Sequence, residues 1–346
     1  MTKVLFIGLG SIGQRHLRNL RHLLGDSVEI IAYRERRTVP MLNDQQEVIE
    51  NRSISAEYQL REINTLDEAL LEKPDIALIA NPSSMHVETA IKAAEVGCHL
   101  FIEKPLGVQH EGVVELIELV EKRRLVSFVA YQFRFHPGLQ KIFRWLQEQR
   151  IGKLISAHIV NGEYLPNFHP YEDYRVSYAA RKDLGGGCIL TQIHEFDYIY
   201  WLFGIARRIF SIGGQLSDLE LDVEDAVTIL MECRFRRAVL PVSLCLNFVQ
   251  SPPRRTCTII GTEGRIEWDF LTGRLELQSS ESDSVELYDF SYLNRNDLFL
   301  FELEHFLQCV SDKSDPLVNL RSGYESLRMA LAARASLESG KVQILN

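Results

Sequence analysis

Three glycines near the start of the chain have the spacing Gly-x-Gly-x-x-Gly, at Gly8, Gly10 and Gly13. They lie directly after the apolar run 4–7 and directly before an amphipathic stretch, 11–24, so they join a predicted strand to a predicted helix. Glycines at these places permit a tight turn, a close approach of backbone to a pyrophosphate, and close packing of helix on strand. Dinucleotide phosphates are therefore expected at the helix start, where N–H groups are unpaired, on Gly8, Gly10, Ser11, Ile12 and Gly13. A plain strand–helix turn is the alternative.

The turn after the second predicted strand, 28–32, bears on the choice of cofactor. In NAD-binding units an acidic residue about 20 residues after the glycines binds the adenosine ribose hydroxyls. This chain instead has Arg34 at the strand end, followed by Glu35, Arg36 and Arg37. Arg34 together with Arg36 or Arg37 suits a 2′-phosphate, which favours NADP(H). NAD(H) remains the alternative, with Glu35 on the ribose and the arginines in solvent.

Two short motifs follow the apolar strands 76–80 and 99–102. The first is Asn-Pro-x-x-x-His and begins at Asn81, and the second is Glu-Lys-Pro and begins at Glu103. The carboxyl ends of parallel strands meet at one edge of a sheet, where ligands bind, so both motifs are expected beside the glycine loop. Further cofactor contacts are therefore predicted from Asn81, Pro82, His86, Glu103 and Lys104. The alternatives are that His86 is an ordinary loop residue and that Lys104 is a surface lysine.

A triple glycine, 185–187, opens the strongest helix predicted in the second half of the chain, 188–203. His194 lies on this helix, and Asp197 follows one turn later. An imidazole has an ordinary pKa of about 6.5, which suits proton transfer near neutral pH. A core histidine with satisfied hydrogen bonds is the alternative, and Asp197 has a structural pairing as its own alternative.

Strands and helices alternate through the first third of the chain, which predicts parallel strands joined by crossover helices in a doubly wound α/β sheet. The predicted strands are 4–7, 28–32, 76–80, 99–102 and 126–130, and the predicted helices are 11–24, 83–96, 108–123 and one starting at Thr65. A helix over 43–52 is a further hypothesis. After about residue 150 the pattern becomes strands with hairpin signals at 261–264 and 272–273, which indicates a mostly antiparallel sheet. Its predicted strands are 153–164, 207–213, 224–233, 237–248, 256–261 and 265–269, with later helices at 296–311 and 321–339.

In the order and spacing of these motifs the chain resembles the glucose–fructose oxidoreductase / inositol dehydrogenase / MocA (Gfo/Idh/MocA) family over essentially its whole length. The resemblance implies a Rossmann domain, expected over 1–125, and an α+β domain with a large, mostly antiparallel open-faced sheet, expected over 126–346, whose C-terminal helices pack back on the first. Such a sheet often forms an oligomer interface, so a homodimer or homotetramer is expected. The implied reaction moves a hydride between a nicotinamide and a carbinol carbon of a sugar, inositol or nucleotide-linked sugar.

The resemblance also assigns Lys104 as an active-site lysine and His194 as an active-site histidine. A lysine can donate hydrogen bonds to a developing alkoxide, or act as the base when its pKa is lowered. The family often has an Asp three or four residues before this His, whereas this chain has Leu190 and Thr191 there. Without that carboxylate His194 is less well oriented. Lys104 is therefore favoured as the group that transfers the proton.

Substrate contacts are predicted near the ends of the elements that lead to these residues. Arg134 ends the last strand of the first domain, and the loop 164–182 is rich in Tyr, Arg and His, which suits a sugar. The candidates are Arg134, Tyr164, Tyr174, Arg181, Thr191 and His194. An ordinary surface loop is the alternative.

Composition excludes several other classes. The formal net charge of −9 disfavours binding to nucleic acid or an anionic membrane surface. The six cysteines form no CxxC pair, so no metal site is expected. No signal sequence or long apolar run is recognised, and a cytoplasmic location is expected. Two other functions remain open: a redox-neutral sugar conversion with a tightly bound, recycled NAD(P), and a dinucleotide-sensing protein without catalysis.

Overall fold

The computed structural model describes residues 1–35, 39–280 and 285–345. The contacts within the chain divide it into two compact units. The first unit contains Met1–Tyr131, His169–Asp173 and Phe299–Tyr324, and the second contains Gln132–Phe168, Tyr174–Leu298 and Glu325–Asn346. The sequence predicts one boundary near residue 125, whereas the first division follows Tyr131 and the chain re-enters the first unit twice.

The strands and helices have the following bounds. The strands are β1 Thr2–Ile7, β2 Val28–Tyr33, β3 Met41–Leu42, β4 Val48–Ile49, β5 Arg61–Ile63, β6 Ile76–Ile79, β7 His99–Ile102, β8 Ser127–Val129, β9 Leu154–Tyr164, β10 Ala206–Gly214, β11 Ala226–Phe235, β12 Ala238–Asn247, β13 Val249–Gly261, β14 Gly264–Asp269, β15 Arg274–Ser279, β16 Val285–Asp289 and β17 Gln343–Ile344. The helices are α1 Ser11–Leu24, α2 Ile54–Glu57, α3 Leu66–Leu71, α4 His86–Glu95, α5 Val113–Arg123, α6 Pro137–Gln147, α7 Cys188–Thr191, α8 His194–Phe203, α9 Arg295–Asp312 and α10 Leu320–Ser339.

The first unit is built on a six-stranded parallel sheet in the order β5-β2-β1-β6-β7-β8. This is the strand order of the Rossmann fold, and it confirms the predicted doubly wound α/β sheet. The central strands are continuous apolar runs because both of their faces are covered, as in β1, where all four residues from Val4 to Ile7 are buried. The helix predicted to start at Thr65 is α3, and Thr65 is its N-cap, where it forms a capping box with Glu68.

The second unit is built on a nine-stranded sheet in the order β16-β15-β14-β13-β9-β12-β11-β10-β17. The pairing of β9 with β12 is parallel and the other pairings found in the described residues are antiparallel, which confirms a mostly antiparallel sheet. Burial alternates along its strands: Val227 and Ile229 are buried, while Thr228 and Leu230 between them are exposed. One face of the sheet is therefore packed, and the other is open in this chain.

Several elements differ from the prediction. The hypothesis of a helix over 43–52 is wrong, because Asn43 accepts hydrogen bonds from the N–H groups of Gln45 and Glu47 and so favours a turn between β3 and β4. The single helix predicted over 188–203 is divided into α7 and α8. The helix α6 and the short edge strand β5 are absent from the predicted elements.

No helix in the described ranges has both the length and the apolar character that crossing a membrane requires.

Candidate functional site

The glycine loop connects β1 to α1 and divides into two packing positions and one open position. Gly8 has φ +94°, and a Cβ on it would lie 2.6 Å from the carbonyl oxygen of Ala80. A Cβ on Gly13 would collide with the carbonyl oxygen of Gly8. A Cβ on Gly10 would meet nothing within 4 Å. The space in front of Gly10 is thus available to a ligand, which is where a pyrophosphate approaches the backbone.

The start of α1 offers its N–H groups to such a ligand. Gly10 is the N-cap, and since glycine has no side chain, no side chain at that position caps the helix. Burial raises the pKa of Tyr171 to about 12, and the side chain of Ser11 partly opposes this effect. Tyr171 belongs to the segment 169–173, which returns to the first unit. Tyr171 lies within the loop 164–182, and nothing in the local sequence indicates that it belongs to the first unit.

Arg34 follows β2 directly, and its guanidinium is held by Glu62 of β5. Arg34 Nη2 lies 2.8 and 3.0 Å from the two carboxylate oxygens, and Nε lies 3.3 Å from one of them. The hydroxyl of Ser55 also donates to this carboxylate. The predicted cofactor residue Arg37, with Arg36, lies outside the described residues. Of the arginines predicted for a 2′-phosphate, Arg34 therefore already has an anionic partner.

The Glu-Lys-Pro motif follows β7, and Glu103 fixes its backbone. One Glu103 carboxylate oxygen accepts the backbone N–H of Lys104 at 3.1 Å, and the other lies 2.6 Å from Nε2 of His16. The Lys104–Pro105 peptide bond is cis. Because His16 and Glu103 are both buried, the backbone N–H of Lys104 is held by a carboxylate in the core of the unit.

His86 is buried between the two strand-end motifs. Its Nδ1 lies 2.7 Å from the carbonyl oxygen of Pro105, and its Nε2 lies 2.9 Å from the carbonyl oxygen of Asn81. Burial lowers the pKa of His86, and a neutral ring donates to one of these carbonyls at a time. Asn81 in turn donates its side-chain amide to Thr89 at 3.0 Å, and Pro82 precedes the turn Ser83–Met85. These contacts give His86 a positioning role for both loops.

Glu302 of α9 completes a buried cluster with His16 and Glu103. A ring nitrogen of His16 and a carboxylate oxygen from each of Glu103 and Glu302 lie within 4.8 Å of one another. Neither carboxylate oxygen of Glu302 has a hydrogen-bond partner among the described residues. Burial raises the pKa of Glu302 well above its ordinary range, and the negative charge of Glu103 raises it further. A proton on Glu302 removes one of two adjacent buried charges, so the protonated acid is the form that suits this place. The sequence analysis missed both His16 and Glu302.

The triple glycine of the second unit is explained by packing around α7. Gly187 has φ +99°, and a Cβ on it would collide with the carboxylate of Glu224. That carboxylate accepts the N–H of Ile189 at 3.0 Å and so caps the start of the helix. A Cβ on Gly186 would lie 2.5 Å from the carbonyl oxygen of Tyr178. These glycines position the residues that follow them rather than cradling a phosphate.

His194 is the first residue of α8, and Thr191 is the last residue of α7. His194 is 6% exposed. The centroid of its ring lies 4.7 Å from the ring centroid of Phe133. The next residue, Glu195, is fully buried, and its carboxylate accepts hydrogen bonds from Arg255 at 2.8 and 2.7 Å. The Arg255 guanidinium lies 4.3 Å from the ring centroid of Phe133. Sequence reasoning missed Glu195 and Arg255, although Glu195 adjoins a predicted residue.

Arg134 is engaged with Asp197. Arg134 Nε and Nη2 donate to the two carboxylate oxygens at 2.9 and 2.7 Å, with both side chains almost completely buried. The hydroxyl of Ser326 donates to the same carboxylate at 3.0 Å. Arg134 is predicted to hold a substrate, but its Nε and Nη2 groups bind a carboxylate of the protein. Asp197 therefore forms the structural pair that the sequence analysis gives as the alternative to a chemical role.

The remaining predicted substrate residues are more exposed. Tyr164 ends β9 and is exposed. Arg181 forms a forked pair with Asp183 at 3.0 and 2.6 Å, and the Tyr174 hydroxyl accepts the N–H of Glu220 at 3.1 Å. Three short 3₁₀ turns, Tyr174–Val176, Tyr178–Ala180 and Lys182–Leu184, order the segment that carries Tyr174 and Arg181. This segment is therefore structured by local contacts within the second unit.

Comparison with known proteins gives two family matches that together cover most of the chain. The family described as "Oxidoreductase family, NAD-binding Rossmann fold" matches residues 2–131, and the "GFO/IDH/MocA C-terminal domain" matches residues 139–267. Among curated relatives, the myo-inositol 2-dehydrogenase of Thermotoga maritima is 28% identical over 343 residues, which cover 96% of this chain and 95% of the relative. The 2,7-anhydro-N-acetylneuraminate hydratase of Escherichia coli is 28% identical over 167 residues, 48% of this chain and 44% of the relative.

A solved structure extends the similarity of fold over the full length. The WlbA dehydrogenase from Bordetella pertussis, solved in complex with NADH and UDP-GlcNAcA, has a TM-score of 0.78 and 19% identity, and covers 100% of this chain and 99% of that chain. At this identity the likeness concerns the fold.

Proposed function

The chain belongs to the Gfo/Idh/MocA family of NAD-binding oxidoreductases, and on this premise we propose that it transfers a hydride between a nicotinamide and a carbinol carbon of a sugar or nucleotide-linked sugar. The observation that carries the proposal is the arrangement of three strand ends in the first unit. The N–H of Ala80 bonds to the carbonyl of Ile7 at 2.8 Å, and the N–H of Glu103 bonds to the carbonyl of Ile79 at 2.9 Å. These bonds set the open glycine cradle and Lys104 on one edge of the same sheet.

A nicotinamide dinucleotide bound on this edge supplies the hydride acceptor or donor. The cradle at Gly10 and the uncapped start of α1 fit its pyrophosphate, since both offer backbone N–H groups without a side chain in front of them. Lys104 donates hydrogen bonds to the substrate oxygen and stabilises the negative charge that develops on it. The anchoring of the Lys104 backbone by Glu103 supports this role, because it fixes the point from which the side chain extends.

His194 is the second residue proposed to handle the hydroxyl proton. The two acidic residues that follow it closely in sequence, Glu195 and Asp197, are each paired with an arginine. This pairing engages the two nearest carboxylates of the helix, and the family's preceding Asp is replaced here by Leu190 and Thr191. We therefore assign the larger share of proton transfer to Lys104 and a supporting share to His194.

The choice between the two nicotinamide cofactors depends on Arg34. The sequence favours NADP(H), but the Glu62 carboxylate holds the Arg34 guanidinium, so a 2′-phosphate would have to replace an anionic partner that Arg34 already has. The WlbA dehydrogenase, whose fold this chain shares, was solved with NADH. These two observations support NAD(H) as the cofactor, with NADP(H) as the alternative that a binding measurement distinguishes.

The open face of the nine-stranded sheet supports association into a homodimer or homotetramer. Ile212, Leu230 and Val239 lie on this face and are more than half exposed, at 66%, 56% and 55%. Exposed apolar side chains in a contiguous sheet are typical of a protein interface. A second copy of the chain is the partner that the family resemblance implies for this face.

A relative named as a hydratase favours a second candidate function. Its name denotes addition of water rather than net oxidation, which suits a cofactor that stays bound and is reduced and reoxidised within one turnover. In this chain the same cradle and the same lysine would serve, so the two functions differ in whether free nicotinamide is consumed.

The purified chain should be assayed with NADH, NADPH and a panel of polyols, sugars and nucleotide-linked sugars. We expect saturable binding of a nicotinamide cofactor, and Lys104→Ala should lower kcat by about 10³-fold while the Kd for cofactor changes by less than about threefold. Lys92→Ala, which removes a surface lysine paired with Glu88, is the matched control and should leave kcat unchanged. Full activity of Lys104→Ala would reject the role of Lys104, and failure to bind either cofactor would reject the function.

Conversion of sugar with cofactor that survives desalting, and without change in free NAD(H), would identify the redox-neutral reaction.

A further inference from the structure

We propose that Glu302 is a positioning residue for Lys104: it holds a proton in a buried cluster with His16 and Glu103, and once it loses that proton its charge makes Lys104 bind its own proton more tightly. The inference rests on the proposed function, since it concerns the lysine that is assigned there to the hydroxyl proton. It adds a residue of α9, a helix that carries none of the motifs of the cofactor edge.

The cluster is closed to solvent and lies within the first unit. His16, Glu103 and Glu302 are 0%, 6% and 0% exposed, and they come from α1, from the residue after β7, and from α9. One ring nitrogen and one carboxylate oxygen from each acid lie within 4.8 Å of one another. Two carboxyl groups this close and away from water are costly to charge together, so one proton is expected on the pair.

The hydrogen bonds decide which of the two acids carries the proton. Glu103 Oε1 lies 2.6 Å from Nε2 of His16, and Glu103 Oε2 accepts the backbone N–H of Lys104 at 3.1 Å. Hydrogen bonds to a carboxylate stabilise its charged form. Neither oxygen of Glu302 has a hydrogen-bond partner in the described part of the chain. The charge is therefore placed on Glu103 and the proton on Glu302.

Charge links Glu302 to Lys104. Burial raises the pKa of Glu302 well above its ordinary range, the negative charge of Glu103 raises it further, and the positive charge of Lys104 acts in the opposite direction. Coupling between two proton-binding groups is reciprocal, so an ionised Glu302 stabilises the ammonium form of Lys104 by the same amount. The carboxylate of Glu103 lies between them: it holds the Lys104 backbone and meets Glu302 in the cluster.

Two further titratable groups belong to the elements that meet here. Arg15 of α1 has its guanidinium 5.0 Å from the ring centroid of Phe299. His305, one turn after Glu302 on α9, accepts the backbone N–H of Leu317 at 2.9 Å. Both groups have contacts of their own, so a substitution of Glu302 changes one acid while these groups stay in place.

The consequence for the reaction is a dependence of Lys104 on pH. Glu302 is neutral below the pH at which it ionises, and above that pH it adds a second negative charge to that of Glu103. The second charge favours the ammonium form of Lys104, which is the form that donates a proton to a substrate oxygen. Glu302 thereby extends the pH range over which Lys104 acts as a donor to more alkaline values.

The test measures the reactivity of the Lys104 amine against pH and needs no substrate. The chain is labelled with a trace of acetic anhydride from about pH 6 to about pH 11, over the part of this range in which circular dichroism shows it folded. Mass spectrometry gives the rate at Lys104, with Lys92 as the internal reference because it lies on the surface and pairs with Glu88. The unprotonated amine is the form that reacts, so the rate reports the proton on each lysine.

In Glu302→Gln the pH of half-maximal labelling of Lys104 should fall by about 0.5 pH unit or more, because the second charge does not form. The rates of wild type and variant should agree at low pH, where Glu302 is neutral in both, and separate as pH rises. Glu304→Gln, an exposed position on the same helix, is the matched control and should move the midpoint by less than about 0.2 pH unit.

Glu302→Met keeps the inference testable if Glu302→Gln does not fold, because an apolar side chain of similar size leaves no buried polar atom unpaired. It should give the same shift. An unchanged Lys104 profile in a folded variant would overturn the inference, and so would rates that differ from wild type by one constant factor at every pH. A chain that binds neither nicotinamide cofactor would instead reject the proposed function, while the labelling would still decide whether Glu302 and Lys104 are coupled.

Discussion

Two arginines that the sequence marks for ligand binding, Arg34 and Arg134, both lie in forked ion pairs with a carboxylate. Arg34 pairs with Glu62 in the first unit, and the two side chains are 10% and 24% exposed. Arg134 pairs with Asp197 in the second unit, and the two side chains are 4% and 1% exposed. The same chemistry therefore occurs once at a partly open sheet edge and once in a closed core.

The difference in burial determines what each pair can do. A buried pair is removed from water, so losing one partner leaves an uncompensated charge that the solvent cannot stabilise. A partly exposed pair keeps access to water, so a ligand can replace one of its partners at a small free-energy difference. The Arg34–Glu62 pair is thus the less costly of the two to break, and the Arg134–Asp197 pair is suited to holding α8 in place.

The largest expected effect follows from Asp197→Ala. This change leaves the Arg134 guanidinium buried without its carboxylate, so the free energy of unfolding should fall by about 3–5 kcal/mol. Urea denaturation at neutral pH measures it. The double variant Arg134→Met/Asp197→Leu, which replaces both charges by apolar groups of similar size, should recover most of the loss. A loss below about 1 kcal/mol in Asp197→Ala would show that the pair is not a buried structural element.

The same comparison shows what the sequence could and could not predict. The glycine loop, α1 and the central strands were predicted because each depends on residues that are close in sequence, such as the apolar run of β1 followed by glycines. The partners of the two arginines were not predicted. Glu62 is 28 residues from Arg34 and Asp197 is 63 residues from Arg134, and no periodicity links residues at such separations.

The edge strand β5 and the buried residues Glu302 and His16 are hard to predict from sequence for related physical reasons. β5 has three residues, of which Arg61 is exposed and the other two are half-buried, so it lacks the continuous apolar run that identifies the central strands. Glu302 and His16 are polar residues within amphipathic helices, where a local pattern assigns them to solvent. Tertiary packing places them in the core, and only the assembled unit shows that their atoms meet.

The next prediction concerns the hydroxyl that supports Asp197. Ser326 donates to the buried carboxylate at 3.0 Å, so Ser326→Ala should lower the free energy of unfolding by about 1.5–3 kcal/mol, the range for hydrogen bonds to charged groups. Urea denaturation measures this change as well. In the Arg134→Met/Asp197→Leu background the same change should cost much less, because the charged acceptor is gone. Equal costs in the two backgrounds would mean that Ser326 acts independently of Asp197.

Glu302 sharpens the comparison because it is a buried carboxyl group without an arginine. Burial raises its pKa well above the ordinary value of 4.5, so the folded chain keeps a proton that the unfolded chain releases. The stability from this proton is fully present below about pH 4.5 and is lost as pH rises through the folded pKa, by up to about 1.4 kcal/mol per pH unit. Glu302→Gln is neutral at every pH, so its stability relative to the wild type should improve from pH 5 to pH 9.

Urea denaturation at several pH values measures this trend. The matched control is Glu304→Gln, an exposed position on the same helix, which should show no such trend. A constant difference between Glu302→Gln and the wild type over this range would show that Glu302 does not hold a proton in the folded chain.

The smallest expected effect compares the two pairs by one substitution, carboxylate to amide. Glu62→Gln should change the free energy of unfolding by about 1 kcal/mol or less, since water reaches the pair and screens its charges. Asp197→Asn should cost at least about 2 kcal/mol more, because the amide leaves the Arg134 charge buried without an anion. Urea denaturation of the two variants at one pH and salt concentration provides the comparison. Equal costs would mean that burial does not distinguish the two pairs.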